Sequence, residues 1–195
     1  MAWKKTVRQY GKLIRKDKSI RLLKLKYTGK RANSQCEWYA IRNPIKMLWT
    51  ALVFQILRKT PPSNLKNSVY RMFGMKIGKD VAIAYNVLPD PLYPELIEIE
   101  EGVLLGSDIE LGCHEFINHR FTLGRIKIKK NSMIGAYAMI GAGITIGENA
   151  VIGLRSFVRE DVPDNEFWAG SPAKLIKKID PKDLVPKKDV EILKY

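Results

Sequence analysis

Residues 128–158 read IKKNSM IGAYAM IGAGIT IGENAV IGLRSF V, and an aliphatic residue returns at every sixth position: Ile128, Ile134, Ile140, Ile146, Ile152 and Val158. Glycine follows four of them directly, at Gly135, Gly141, Gly147 and Gly153. A period of six is not the 3.6 of a helix, and sandwich strands would space their turns irregularly, about 8 to 12 residues apart. The stretch is a repeat array. Upstream the same rule runs in another phase, through Ile77 and Ile83 and then Ile99, Leu105 and Leu111, with Gly78, Gly106 and Gly112 in the following slot.

Each unit reads as a short strand on one wall of a solenoid, with its aliphatic residue pointing inward and the glycine, which lacks Cβ, making the corner. Because strand faces alternate, the residue four places on should also point inward. Those slots hold Val81, Val87, Val103, Ile109, Ala138, Ile144, Ala150 and Val162, with Ser132 and Ser156 in two more. Three walls per turn give coils of about 18 residues whose identical slots stack into a continuous aliphatic ladder.

The units from Ile134 to Phe157, the closing Val162-Pro163 and the stretch Trp168-Ala-Gly-Ser-Pro-Ala-Lys174 resemble the hexapeptide-repeat acyltransferases, a family that includes galactoside, maltose and serine acetyltransferases. The resemblance covers roughly residues 74–179. It implies a mainly β protein, a three-sided left-handed parallel β-helix, which departs from the usual right-handed crossover. It also implies a homotrimer whose sites lie between subunits. Fold alone does not fix chemistry, since related solenoids serve other roles.

Charge is distributed unevenly. The 195 residues carry a net charge of +14, and residues 1–60 alone hold 16 Lys and Arg against Asp17 and Glu37. From residue 61 onward the two signs cancel. A basic appendage beside a neutral solenoid suits an anionic membrane surface or an anionic substrate pool. Nucleic acid is disfavoured, because no recognition motif accompanies the charge.

The appendage reads as helical. Trp3, Val7, Tyr10 and Ile14 recur at helical spacing among lysines and arginines. Asn43 can cap a second helix with Pro44 at its first position. From Met47 to Leu57 only Thr50 and Gln55 are polar, so this helix should be buried or inserted in lipid through Trp49, Leu52 and Phe54, yet it is too short to span a bilayer. A third helix from about Asn64 to Phe73 ends at Gly74. The expected organisation is a basic helical region over 1–74 that caps the solenoid's open end, contacts membrane, or does both. A β-helix over 75–163 follows, then a closing segment with a short helix over 164–195. No secretory leader is expected, since the first long apolar run starts only at Met47. The expected location is cytoplasmic, including the inner face of the membrane. Cys36 and Cys113 have no metal-binding spacing, and a reduced setting is the default.

Chemistry concentrates where the period breaks. The spacing from Leu111 to Ile128 exceeds two repeats by five, so a loop at 115–125 leaves the wall after Cys113-His114-Glu115-Phe116. In the family the catalytic histidine stands just before such a loop, and His114 matches it; His119 lies inside the loop. A neutral imidazole with an ordinary pKa near ~6.5 can take the proton from an attacking hydroxyl, at a contribution of about 10²- to 10⁴-fold. The oxyanion then needs a donor such as a backbone N–H. Counting one coil back from His114 makes Glu95 the nearest acid, with Asp90 in the same insertion and Glu115 as the third candidate to orient the ring. Metal chemistry is disfavoured, since the carbonic anhydrases of this fold use three histidines and this chain has two.

The resemblance implies acetyl-CoA as acyl donor. Its pantetheine arm would run past Ala136, Gly141, Ala142 and Gly143, and its phosphates would meet Arg155, Arg159, Lys174 and Lys177, the lysines on the closing helix. Arg159-Glu160 stands where members often have Thr-Lys, and Leu154-Arg155 replaces two small residues. The expected activity is CoA-dependent O-acylation of a sugar or glycan precursor. The competing readings are a non-enzymatic scaffold and a peripheral membrane-binding protein.

Overall fold

The computed structural model describes residues 2–31, 33–180 and 182. At its centre, short parallel strands stack in three walls. One wall sets Ile77 beside Ile99, Ile128 and Ile146. The second sets Ile83 beside Leu105, Ile134, Ile152 and Trp168. The third sets Pro89 beside Leu111, Ile140 and Val158. Every aliphatic residue of these ladders is buried, and the second inward slots close behind them, Val87, Val103 and Ala150 among them. Ser132 is satisfied there by donating to the carbonyls of Lys129 and Gly147, at 2.6 and 2.7 Å.

Pro89 explains one irregularity of the period. It fills the slot six residues after Ile83, so the surplus lies only between Pro89 and Ile99. The other insertion is longer than its spacing suggested. Leu111 and Ile128 stand on successive walls, so the segment between them crosses one corner and carries eleven extra residues rather than five.

The glycines after the inward residues do not make the corners. The left-handed backbone falls two residues later, at Asp80, Asn86, Asp108, Asn131, Tyr137, Asn149 and Arg155, and at Gly102 and Gly143. Asp and Asn tolerate that conformation best among residues with a side chain. The slot glycines serve close approach instead. A Cβ at Gly147 would lie 2.4 Å from the backbone N of Asp164, and one at Gly78 would lie 2.5 Å from that of Glu101. On the third wall the slot is roomier, with the nearest atom 3.8 Å away at Gly112 and 3.3 Å at Gly141.

The stack has a direction. In each wall the N–H after an inward residue donates to the carbonyl one coil on, as Gly78 does to Ile99, Ala84 to Leu105 and Asp90 to Leu111. Carbonyls of the first coil therefore face outward at the open end, and helix α3, Asn64–Met72, meets them. Lys66 Nζ donates to Ile83 and Ala84 as well as to Thr60, Asn67 Nδ2 to Val81, and Arg71 to Ile77 and Gly78. Ser63 caps α3 through the N–H of Lys66.

Two other helices precede it. In α1, Ala2–Lys16, Trp3, Val7 and Ile14 are buried, while Tyr10 of the expected stripe is exposed. Helix α2, Pro44–Leu57, starts as expected, with Asn43 Oδ1 accepting from the N–H groups of Ile45 and Lys46. The segment between them is not purely helical. Strand β1, Leu22–Lys26, pairs antiparallel with Arg120–Gly124, and a 3₁₀ segment spans Ser34–Ala40.

At the far end the expected closing helix is replaced over 173–178 by a strand, Ala173–Lys178, antiparallel to Glu166–Gly170. The parallel pairing of Phe167 and Trp168 with Val151 and Ile152 leaves the outer edge of that strand open, and the hairpin return covers it. The part of that helix expected beyond Lys182 lies outside the described residues.

Candidate active site

The eleven-residue insertion is a hairpin. His114–Ile117 pairs with Arg120–Gly124, His114 standing opposite Leu123, and β1 adds a third strand on the outside. His119 sits exposed at the tip, where its carbonyl accepts from the N–H of Tyr27. His114 lies at the other end, where the hairpin leaves the wall.

Aromatic rings enclose His114 on this side. Phe116 stands edge-on at 5.3 Å, Phe121 lies tilted by 31° at 6.2 Å, and Trp3 of α1 packs edge-on against Phe121. The N-terminal helix thus supports the hairpin that carries the histidine. Local sequence gave little sign of this arrangement. Leucines and lysines alternate over Leu23–Lys26 as a strand would, but nothing nearby names a partner so distant in the chain.

Beneath the ring lies Asp90. Its Oδ2 is 2.5 Å from His114 Nδ1 and accepts from the N–H of Cys113 at 2.9 Å, while Oδ1 accepts from the N–H groups of Leu92 and Tyr93. The residue is 3% exposed. Three backbone donors fix this carboxylate in place. Burial alone would lower the pKa of His114, but the charge and hydrogen bond of Asp90, with Glu110 and Glu115 adding to them, hold it above the ordinary 6.5. The thiol of Cys113 is fully buried, which pushes its pKa well up, away from the thiolate a nucleophile needs.

The other two acids stand elsewhere. Glu95 pairs with Arg15 at 3.4 Å and Arg42 at 3.1 Å, and makes no hydrogen bond to His114. Glu115 lies across the hairpin from Thr122 and lines a pocket of about 120 Å³ with Arg120, Lys24, Gly141, Ala142 and Arg159.

The third wall joins these pieces. Its slot after the inward residue holds, coil by coil, Asp90, Gly112, Gly141 and Arg159. The first three each donate their N–H to the inward residue's carbonyl one coil on, at 3.0 Å. Coils spaced about 4.8 Å apart place Asp90 and Arg159 about 14 Å apart, with bare backbone between them. His114 and Glu115 rise beside that strip.

The remaining candidates lie off it. The Ala136 carbonyl accepts from the N–H of Arg155, whose guanidinium lies 5.4 Å over the Tyr137 ring. Lys174 pairs with Glu160 at 2.8 Å, on a strand and not on a helix. Lys177 is exposed on the same strand. Gly143 is buried, its Cβ position facing Leu22 of β1 at 2.8 Å, so it serves packing and offers no open backbone. Among the described residues no group of three or more His, Cys, Asp or Glu side chains is placed to hold a metal.

A hexad stack interrupted by a hairpin, with a histidine at the hairpin's base bonded to a buried aspartate from the earlier insertion, places the chain in a class. Residues 125–159 match the family described as bacterial transferase hexapeptide, six repeats. The chain belongs to the hexapeptide-repeat acetyltransferases. It is 36% identical over 146 residues to YvoF of Bacillus subtilis, a protein assigned as an acetyltransferase, a match covering 74% of this chain and 85% of that one. It is 32% identical over 143 residues to SAR0816 of Staphylococcus aureus strain MRSA252, likewise assigned, covering 73% and 89%. Over 58 residues it is 43% identical to the galactoside O-acetyltransferase of Escherichia coli, covering 30% of this chain and 29% of that enzyme. Two solved structures share the fold. A galactoside acetyltransferase in complex with coenzyme A has a TM-score of 0.59 at 23% identity, covering 77% of this chain and 90% of that one. A maltose O-acetyltransferase of Clostridium difficile has a TM-score of 0.56 at 23% identity, covering 70% and 87%.

Proposed function

We propose that this acetyltransferase moves the acetyl group of acetyl-CoA to a hydroxyl of a sugar or glycan precursor, with His114 as general base. The observation that carries the reading is the bond between His114 Nδ1 and the buried Asp90. An aspartate that accepts from Nδ1–H fixes the tautomer whose Nε2 has a free lone pair. Nε2 takes the acceptor's proton as its oxygen attacks the thioester carbonyl, and the resulting imidazolium is stabilised by Asp90. The same proton is then available to the departing thiolate. A backbone N–H beside the strip serves the oxyanion.

The residues present suit the donor. The bare strip over Gly112 and Gly141 admits a slender pantetheine arm, and Lys24, Arg120 and Arg159 gather at the pocket where phosphates need cations. The galactoside acetyltransferase of similar fold is a coenzyme A complex, which favours the same donor here. The stack is read as a left-handed parallel β-helix over 75–163, working as a homotrimer in which the hairpin over 115–125 meets a neighbouring subunit. Residues 1–74 act as its cap and its membrane contact, and the segment from 164 closes it. The acceptor is met at the cytoplasmic face of the membrane. The proposed contact is peripheral; among the described residues no helix is long and apolar enough to cross a membrane.

The test is acetyl transfer from acetyl-CoA to a panel of sugars, with coenzyme A binding measured in parallel. His114→Ala should retain coenzyme A binding and lose turnover by about 10²- to 10⁴-fold. Full activity in that variant would end the assignment of His114, and a native chain indifferent to coenzyme A would end the whole reading.

A further inference from the structure

Helix α2 does not bury its apolar surface. Only Thr50 and Phe54 are buried on it, whereas Ile45 is 79% exposed, Ile56 61%, Leu48 and Trp49 59% each and Leu52 55%. These five residues follow the spacing of one helical face. The face opposite Phe54 is therefore an apolar stripe along the whole helix, which at 1.5 Å per residue is about 20 Å long. Phe54, expected at a lipid interface, instead packs edge-on against Tyr70 and Phe73.

Cations flank the N-terminal end of the stripe. On α1, Lys4, Arg8, Lys12 and Lys16 project from the side away from buried Trp3, Val7 and Ile14, and all four are exposed. Arg8 and Lys12 share a groove of about 410 Å³ with Arg42 and Lys46, the last lying in the first turn of α2 beside Ile45. The cationic face of α1 thus adjoins the start of the apolar stripe. Opposite charge is nearly absent. No Asp or Glu occurs between Trp38 and Lys79, and none occurs in any of the three helices.

We propose that this surface docks on a bilayer containing anionic phospholipid. Helix α2 lies in the interfacial plane with Ile45, Leu48, Trp49, Leu52 and Ile56 inserted, and Arg8, Lys12 and Lys46 meet headgroup phosphates. The proposal rests on the peripheral membrane contact stated above and assigns it a face. Charge complementarity selects the occupant. A second copy of this chain would bring the same uncompensated cations to the contact, whereas anionic lipid supplies both the apolar layer and the missing negative charge. An aromatic residue such as Trp49 is favoured at that depth. The geometry also speaks to the acceptor. Tyr93, with the Arg42 guanidinium 5.1 Å over its ring, donates its backbone N–H to Asp90, so the docking face and the His114 pair share one loop. That proximity suits an acceptor held at the membrane surface.

The test is cosedimentation of the full chain with vesicles of phosphatidylcholine alone or mixed with phosphatidylglycerol. Binding should require phosphatidylglycerol and fall as salt is raised. Two variants divide the face: Leu48→Ser/Trp49→Ser/Leu52→Ser should bind about tenfold or more weakly at any salt, and Lys4→Glu/Arg8→Glu/Lys12→Glu should abolish the preference for anionic lipid. Both should keep native coenzyme A binding, which verifies the fold. As an independent reading, brominated lipid should quench native tryptophan emission but not that of Trp49→Phe. Undiminished binding by the stripe variant overturns the assigned face while leaving membrane contact standing. Absence of binding by the native chain overturns both. A smaller oligomer in the stripe variant, by sedimentation velocity, overturns the proposal in favour of a contact between copies.

Discussion

Asp90 stands where the next two coils of its wall carry Gly112 and Gly141, and the roominess of that slot lets a side chain fit there at all. Its bond to His114 sets a pH signature for the proposed mechanism. The base must be neutral, so activity should fall on the acid side through a pKa above 6.5. In Asp90→Asn the raising charge is gone and burial remains, so the acid limb of kcat/KM should move to lower pH while the maximum rate drops. A profile unmoved by that change would remove Asp90 from the mechanism. Arg159 offers a second residue-scale check. Arg159→Ala should raise KM for acetyl-CoA about ten- to a hundredfold with little change in kcat, the loss of one charge-assisted contact. The sequence offered Asp90 only as one of three acids, for a physical reason. Counting one regular coil back from His114 points at Glu95, but Pro89 lies beneath Leu111, so that coil exceeds the regular length by four. Proline, which is neither aliphatic in the expected sense nor followed by glycine, concealed the slot that would have identified its neighbour.

Among the elements, the walls were legible because every coil repeats the same demand. An aliphatic residue must face the core, and the next backbone must pass close to a neighbour. The second demand can be measured. Gly147→Ala sets a Cβ against the backbone at 2.4 Å and should destabilise by about 1–3 kcal/mol, while Gly112→Ala, whose Cβ would meet its nearest neighbour at an ordinary 3.8 Å, should leave the melting temperature nearly unchanged. Comparable losses at both positions would show that glycine serves the corner after all. The hairpin was legible as a break in period but not as structure. Strand β1 was not legible, because a five-residue strand rich in lysine takes its meaning from Phe121 and Leu123 across the pair, which the adjoining sequence does not contain. Trp3 belongs to the same assembly. Trp3→Ala should cost about 3–5 kcal/mol in chemical denaturation and lower turnover, since the edge-on contact with Phe121 behind His114 is lost.

For the whole molecule, the basic first third and the neutral stack are distinct in charge yet joined through α3. Lys66, 1% exposed and held by three carbonyls, has its pKa lowered to about 8 by burial. Between that pH and the ordinary 10.5 the unfolded chain keeps a proton that the folded chain has released, so stability rises with pH across the interval. The melting temperature of the native chain relative to Lys66→Met should therefore climb from pH 8 to 10, and a flat difference would place the ammonium in water. The ladder itself sets no limit on its own length, because each coil offers the next the same inward slots and the same directed bonds. What ends it is a nine-residue helix whose amine, amide and guanidinium imitate the donors of a coil that is not there. In the vocabulary of polymers, the repeats are the monomers and α3 is the chain stopper. Coils could be added or removed in evolution without redesigning the end, and an unstopped stack would invite growth by its own kind.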